Sequence, residues 1–284
     1  MMKKKIVFAE KYGVCSGVKN ALNLVNQELT SNNSQIYVFH EIVHNSFVIN
    51  NLKKNGVIFT ENINTIPDHS TIIFSAHGVS KEIEKQAAAK KLKVIDGTCP
   101  LVKKNHKIVE DAEARGDYII FIGDPKHVEV SGTYGRCVNK DKFFIVHSEQ
   151  DIKKLPQITT PVTLLSQTTL STDDTQTIIE LLKQKYPQLV NYGGICHATD
   201  SRQGAIRTLA ARSDIILIIG SPKSSNSKQL VNIAKRLNKV AYLVENSLDL
   251  ERIDFTSVET IGISAGASTP QEQIDLIVNS LQIK

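Results

Sequence analysis

The chain lacks tryptophan altogether and carries only four cysteines, eight prolines and two methionines among 284 residues. Four cysteines in so long a chain do not make a disulfide scaffold, which is short, secreted and cysteine-dense. A reducing, cytoplasmic setting is therefore expected, where thiols serve as ligands, nucleophiles or core filler. Long apolar runs are missing too. Runs such as Ile215-Ile216-Leu217-Ile218-Ile219 fall far short of the roughly 18 residues of a membrane span, so no membrane partner is expected. Lys3-Lys4-Lys5 followed by Ile6-Val7-Phe8-Ala9 offers four apolar residues against the roughly 7 to 15 of a secretory h-region, and reads as a first β-strand. Excess charge of one sign is scarce: 34 basic against 29 acidic residues leave +5, too dilute for a nucleic-acid footprint. Such a balance suits an anionic small substrate or an acidic protein partner.

What is present is a globular composition, 41% hydrophobic and 22% charged, which excludes disorder, collagen and coiled coil. The length admits one large barrel, two domains or three small ones. Cys15, Cys99 and Cys196 decide among these, because each opens a segment with helical periodicity. Val18, Ala21, Leu22, Val25 and Leu29 form one apolar stripe; Leu101, Val102, Ile108, Val109 and Ala112 follow the second cysteine up to Gly116; Ile206, Leu209 and Ala210 follow the third. Strand-like runs then repeat in pairs: 36–39 and 72–74, 118–122 and 162–165, 215–219 and 260–263. Strands alternating with helices predict parallel α/β sheets covered on both faces. The expected architecture is three similar small α/β units around a pseudo-threefold axis, with a central cluster site. The units span 15–98, 99–193 and 194–284, with the N-terminal strand, 1–14, joining the third.

Ligands of open α/β sheets bind at the carboxyl ends of the strands, so the polar turns there carry the chemistry. Three converging thiolates allow a Cys3His-type zinc site, although the short Cys-x(2–4)-Cys pairs of structural zinc are missing, or an iron-sulfur cluster with one iron lacking a protein ligand. A buried helix-start residue is the plainer role for any single cysteine, and Cys137, outside the repeat, keeps it. His44, His77 and His127 stand at strand ends, where protonated imidazoles can donate to phosphate oxygens, with Lys126 or Lys223 adding charge. Ser224, Ser225, Asn226 and Ser268 are donors at turns expected to precede helix N-termini, which suit anions. Glu129 is the carboxyl placed to relay protons, with Glu41 and Asp124 as competitors, and Thr168 could orient a substrate or pass a proton.

Val14-Cys15-Ser16-Gly17-Val18, Val43-His44-Asn45, Ser75-Ala76-His77-Gly78, Asp96-Gly97-Thr98-Cys99-Pro100-Leu101-Val102, Ser166-Gln167-Thr168-Thr169, Ile195-Cys196-His197-Ala198-Thr199, Ser224-Ser225-Asn226-Ser227 and Ser264-Ala265-Gly266-Ala267-Ser268 together resemble, in order and over nearly the whole chain, the IspH/LytB family of 4-hydroxy-3-methylbut-2-enyl diphosphate reductases. The resemblance implies one four-iron four-sulfur (4Fe-4S) cluster held by Cys15, Cys99 and Cys196, with one open iron. It implies reductive dehydroxylation of an allylic diphosphate alcohol to isopentenyl and dimethylallyl diphosphate, the last step of the methylerythritol phosphate route. By position, His44, His77, His127, Ser224, Ser225, Asn226 and Ser268 correspond to diphosphate ligands, Glu129 to the proton-relay acid and Thr168 to the active-site threonine. Ferredoxin or flavodoxin is the implied electron donor, and a monomer is expected. Two positions depart from the family pattern: Val128 stands where His-Pro-Glu has proline, which predicts a less rigid loop, and Gly97 replaces a common alanine, an exchange expected to be harmless. The competing readings are a non-redox iron-sulfur enzyme of quinolinate-synthase type and a non-catalytic, zinc-stabilised phosphate-binding module.

Overall fold

The computed structural model describes every residue except 1–3, 32–33, 238 and 284, so the first three residues of the predicted N-terminal strand segment lie outside it. Strand and helix alternate through most of the chain. β1 (Lys5–Phe8) leads past Cys15 into α1 (Ser16–Ser31). There follow β2 (Ile36–Phe39), α2 (Ser46–Lys54), β3 (Ile58–Thr60), β4 (Thr71–Phe74), α3 (Lys81–Ala89) and β5 (Lys93–Asp96). Cys99 then precedes α4 (Pro100–Arg115), β6 (Tyr118–Ile122), α5 (Val128–Tyr134), β7 (Phe143–Val146), α6 (Glu149–Lys154), β8 (Val162–Ser166), α7 (Thr172–Lys185) and β9 (Leu189–Asn191). Cys196 precedes α8 (His197–Ala210), β10 (Ile215–Ile219), α9 (Ser225–Arg236), β11 (Val240–Val244), β12 (Thr260–Ala265) and α10 (Gln271–Ile283).

The strands form three four-stranded sheets, in the orders β1-β12-β10-β11, β3-β2-β4-β5 and β7-β6-β8-β9, and their pairings are parallel. The fold is α/β, with three similar units. The chain divides into two compact units. One comprises Met1–Val18, Val43–Asn51 and His197–Lys284 and holds the first of these sheets; the other comprises Lys19–Ile42 and Leu52–Cys196 and holds the remaining two. Among the described residues no helix is long and apolar enough to cross a membrane.

The side-chain alternation of a strand explains the unbroken apolar runs. In β10, Ile216 and Ile218 pack with Ile206 and Leu209 of α8 and Leu230 and Ile233 of α9. Ile215, Leu217 and Ile219 face the other way, onto Ile274 and Ile277 of α10. β6 repeats the scheme, with Ile119 and Phe121 against Val109 of α4 and Val130 of α5, and Ile120 and Ile122 with Ile178 and Leu182 of α7. A strand buried on both faces has no polar side to show. α4 stops where expected, at Gly116, whose φ of 81° lies in the left-handed region and suits glycine at a helix C-terminus.

The six paired runs read from the sequence are all strands, while β3, β5, β7, β9 and β11 carry weaker signals. They lie at the sheet edges, two of them are three residues long, and exposed residues such as Val94, Val190 and Val240 break the buried pattern that marks a central strand.

Candidate active site

The three repeat cysteines occupy equivalent positions. β4, β8 and β12 each lie next to an edge of their sheets, and each has at its side the edge strand that leads to a cysteine: β5, β9 and β1. The backbone N–H of Cys99 donates to Ala76 O at 3.0 Å, that of Cys196 to Thr168 O at 3.1 Å and that of Cys15 to Ala267 O at 3.0 Å. In every case the acceptor lies two residues past that strand, β4, β8 or β12. Each cysteine directly precedes a helix, α4, α8 or α1. None of the three is in a disulfide, and each is half-buried.

A sequence signal announces this construction, and composition hides it: Gly13-Val14-Cys15, Gly97-Thr98-Cys99 and Gly194-Ile195-Cys196 share a Gly-x-Cys spacing. At Gly97 a Cβ would sit 2.6 Å from the carbonyl oxygen of Phe74, and at Gly194 one would collide with that of Ser166. These are the last residues of β4 and β8. Gly97 is therefore not interchangeable with alanine in this chain, contrary to expectation: its loop lies too close to β4 for a side chain. Asp96 ties the same loop down, accepting from Thr98 N at 2.9 Å and pairing with Lys103 of α4 at 2.6 Å.

The acid lies at the ends of β6 and β8. Glu129, in the first turn of α5, is 2% exposed. Its Oε1 accepts from Thr168 N at 2.8 Å and its Oε2 from the Thr168 hydroxyl at 2.7 Å. Burial pushes its carboxyl up to about 7, against the two Thr168 hydrogen bonds that pull it down. A carboxyl poised there gives and takes protons near neutral pH. His127 caps α5 with its ring, Nδ1 accepting from Glu129 N at 3.2 Å, so Nε2 is the ring nitrogen that carries the proton and can donate. The His77 ring stands edge-on to His127, with centroids 5.7 Å apart, and its Nδ1 lies 3.3 Å from Ser75 Oγ.

The loop before α5 is held despite Val128. Asp124 accepts from Lys126 N at 3.0 Å and donates its own N–H to Gln167 Oε1 at 3.0 Å, while His127 N bonds Asp124 O at 2.9 Å. Asp124 thus ties the loop through both its side chain and its backbone. Val128 is the first residue of α5, where the backbone N–H has no intrahelical acceptor and proline is tolerated equally well.

The other compact unit gathers the remaining donors. Ser224 caps α9, accepting from Ser227 N at 3.3 Å, and Ser225 and Asn226 form the first turn of that 12-residue helix. Asn226 Oδ1 accepts from Ala267 N at 3.0 Å, which fixes the amide orientation and leaves Nδ2 buried without a partner. Ser268 Oγ donates to His44 O at 3.0 Å. The next residue, Asn45, caps α2 by accepting from Val48 N at 3.0 Å and donates to Gln273 Oε1 at 2.9 Å. The structure thus brings Glu129, Thr168, His127 and His77 together in one unit, and His44, Asn226 and Ser268, with Ser224 and Ser225 beside Asn226, in the other. Among the described residues, no three His, Cys, Asp or Glu side chains are grouped closely enough to hold a metal ion.

Cys137 is accounted for. It is buried, its thiol donates to Glu113 Oε1 at 3.3 Å and Asn139 O at 3.2 Å, and burial followed by the Glu113 carboxylate pushes it up to about 11. It is a structural thiol. Sequence reasoning missed His106 and Arg136, which make a polar chain beside His77, because neither sits in a strand-end turn.

Parallel sheets with a near-neutral buried acid and a buried unpaired amide donor at their loop ends define an α/β enzyme. A family profile described as LytB protein matches residues 6–282. A 4-hydroxy-3-methylbut-2-enyl diphosphate reductase of Haemophilus influenzae (strain PittEE) is 43% identical over 282 residues, covering 98% of this chain and 90% of the relative. The reductase of Acinetobacter baylyi is 44% identical over 285 residues with the same coverage. The solved E-1-hydroxy-2-methyl-but-2-enyl-4-diphosphate reductase of Plasmodium falciparum superposes with a TM-score of 0.94 at 38% identity, covering 98% of this chain and 87% of that one. A second solved structure, of an (E)-4-hydroxy-3-methyl-but-2-enyl diphosphate reductase that is the terminal enzyme of the non-mevalonate pathway, gives a TM-score of 0.71 at 32% identity, covering 99% of this chain and all of the other. The chain belongs to the LytB family.

Proposed function

We propose that this chain is a 4-hydroxy-3-methylbut-2-enyl diphosphate reductase, acting at the terminal step of the non-mevalonate route to isopentenyl and dimethylallyl diphosphate. The observation that carries the reading is the Glu129–Thr168 pair, a buried carboxyl raised to about 7 and doubly bonded by one threonine. Reductive loss of an allylic hydroxyl consumes two electrons and two protons, breaks C–O, forms C–H and releases water. Glu129 supplies a proton to the departing hydroxyl, and Thr168, bonded to both carboxyl oxygens, orients the acid and can carry a proton between it and the substrate oxygen. His127 and His77 present imidazole donors beside that acid. His44, Ser224, Ser225, Asn226 and Ser268 are the remaining diphosphate ligands, with the orphaned Asn226 Nδ2 the clearest donor awaiting an anion. Anchoring the diphosphate spends remote binding energy on positioning the reacting carbon.

Cys15, Cys99 and Cys196 are the proposed ligands of one four-iron four-sulfur cluster. Their chemistry fits: none of the three thiols is in a disulfide, each is half-buried, and they are equivalent in three loops. When bound, such a cluster supplies electrons one at a time and an iron without a protein ligand. Ferredoxin or flavodoxin, acidic one-electron donors, suit the net +5 charge, and the reading is of a monomer that works in the cytoplasm. Iron and acid-labile sulfide analysis after anaerobic purification tests the cofactor. Four of each per chain, lost together in Cys99→Ser, is the expected result; a colourless protein carrying one zinc would overturn it.

A further inference from the structure

A chain of polar contacts that the mechanism above does not use runs beside His77. Arg136, two residues past the end of α5, meets Glu84 of α3 at two points, Nη1 to Oε2 at 2.7 Å and Nη2 to Oε1 at 2.5 Å, and lies 3.7 Å from Glu110 of α4. The same guanidinium donates from Nε to Nδ1 of His106 at 3.0 Å. An arginine can only donate, so Nδ1 of His106 is bare and the ring proton sits on Nε2. Burial first, and the Arg136 charge second, push His106 down to about 3, which keeps the ring neutral. His106 is 4% exposed on α4, and its Nε2 is buried without a hydrogen-bond partner.

That ring is the surface on which Gly78 rests. A Cβ at Gly78 would sit 2.6 Å from His106 Cε1 and 3.1 Å from Nε2, and the φ of +75° there already disfavours a side chain. From α5, Gly132 approaches the same residue so closely that a Cβ on it would stand 3.1 Å from Gly78 O. Gly78 is therefore gripped by α4 and α5, with His77 as its immediate neighbour.

We propose that Glu84, Arg136 and His106 form a positioning device that fixes the His77–Gly78 loop, so that His77 meets the diphosphate already oriented. The two carboxylates hold the guanidinium, the guanidinium fixes the tautomer and rotation of the imidazole, and the imidazole is the wall that Gly78 cannot pass. His106 acts through Gly78, as a positioning residue. A loop fixed in advance spares the substrate the free energy of ordering it. The inference rests on the proposed role of His77 as a diphosphate ligand.

A double-mutant cycle on the anaerobically purified holoenzyme tests it, reading Kd for inorganic diphosphate together with KM and kcat for the allylic diphosphate. His106→Leu should raise Kd and KM about tenfold, with kcat changed about twofold at most and iron content unchanged, the signature of lost uniform binding. The His77→Ala, His106→Leu double variant should bind no more weakly than His77→Ala alone, because both changes remove one contact. Additive losses, or wild-type Kd in His106→Leu, overturn the inference. Arg136→Lys, which keeps the charge but loses the fork that reaches Glu84 and His106 together, carries the same comparison if His106→Leu does not fold. Wild-type protein that neither binds diphosphate nor turns over overturns the diphosphate reading of His77, and this inference with it. Wild-type protein that binds diphosphate and turns over, with additive losses in the double variant or wild-type Kd in His106→Leu, sinks only the inference.

Discussion

Thr168 donates both its backbone N–H and its hydroxyl to the carboxyl group of Glu129, at 2.8 and 2.7 Å, in a setting where the carboxyl is 2% exposed. One residue thereby satisfies both oxygens of a buried acid while leaving it able to hold a proton. The hydroxyl can reverse its direction when the carboxyl does.

Glu129→Gln should leave that geometry standing, the amide oxygen accepting from Thr168 N and the amide N–H donating to Thr168 Oγ1. Turnover should fall about 100-fold or more, as when a general acid is removed, while the visible absorption and iron content stay at wild-type values. Near-normal turnover would remove Glu129 from the mechanism.

The same carboxyl makes stability depend on pH. Its folded value of about 7 exceeds the ordinary 4.5, so the folded state keeps the proton after the unfolded chain has released it. The resulting stabilisation is fully present below pH 4.5 and is lost as pH rises through 7. Urea unfolding of wild type should therefore show a stability decline across this window that Glu129→Gln lacks. Identical slopes in the two proteins would show that Glu129 is not raised.

Gly97→Ala forces a methyl group against Phe74 O, and the loop that carries Cys99 must shift. The expected cost is about 1–3 kcal/mol, read by thermal melting, together with less iron per chain. A variant that matches wild type in both would show that the loop has slack.

Cys137→Ser should retain iron and turnover, and in the unmodified protein Cys137 should be the thiol slowest to react with iodoacetamide, since burial and Glu113 hold it protonated. Loss of the cluster in Cys137→Ser would make it a ligand.

Much of this was legible in the sequence, because the physics was local. The central strands announced themselves as apolar runs since both their faces are covered, as at Ile215–Ile219, and Ser224 marked the start of a helix by its capping chemistry. The edge strands were not legible, since residues such as Val94 and Val240 face solvent. The constraint on Gly97 is not legible either, because it is a carbonyl on another strand, 2.6 Å from where a Cβ would be, and no local pattern encodes that. His106 and Arg136 were invisible for a related reason: their partners lie 30 and 52 residues away.

The most direct test of the account is the oxidation of a reduced viologen dye by the anaerobically purified protein on addition of 4-hydroxy-3-methylbut-2-enyl diphosphate. The account predicts rapid, substrate-dependent bleaching, with isopentenyl and dimethylallyl diphosphate as products. Protein with a full complement of iron and sulfide that leaves the dye coloured and the substrate unchanged would contradict it.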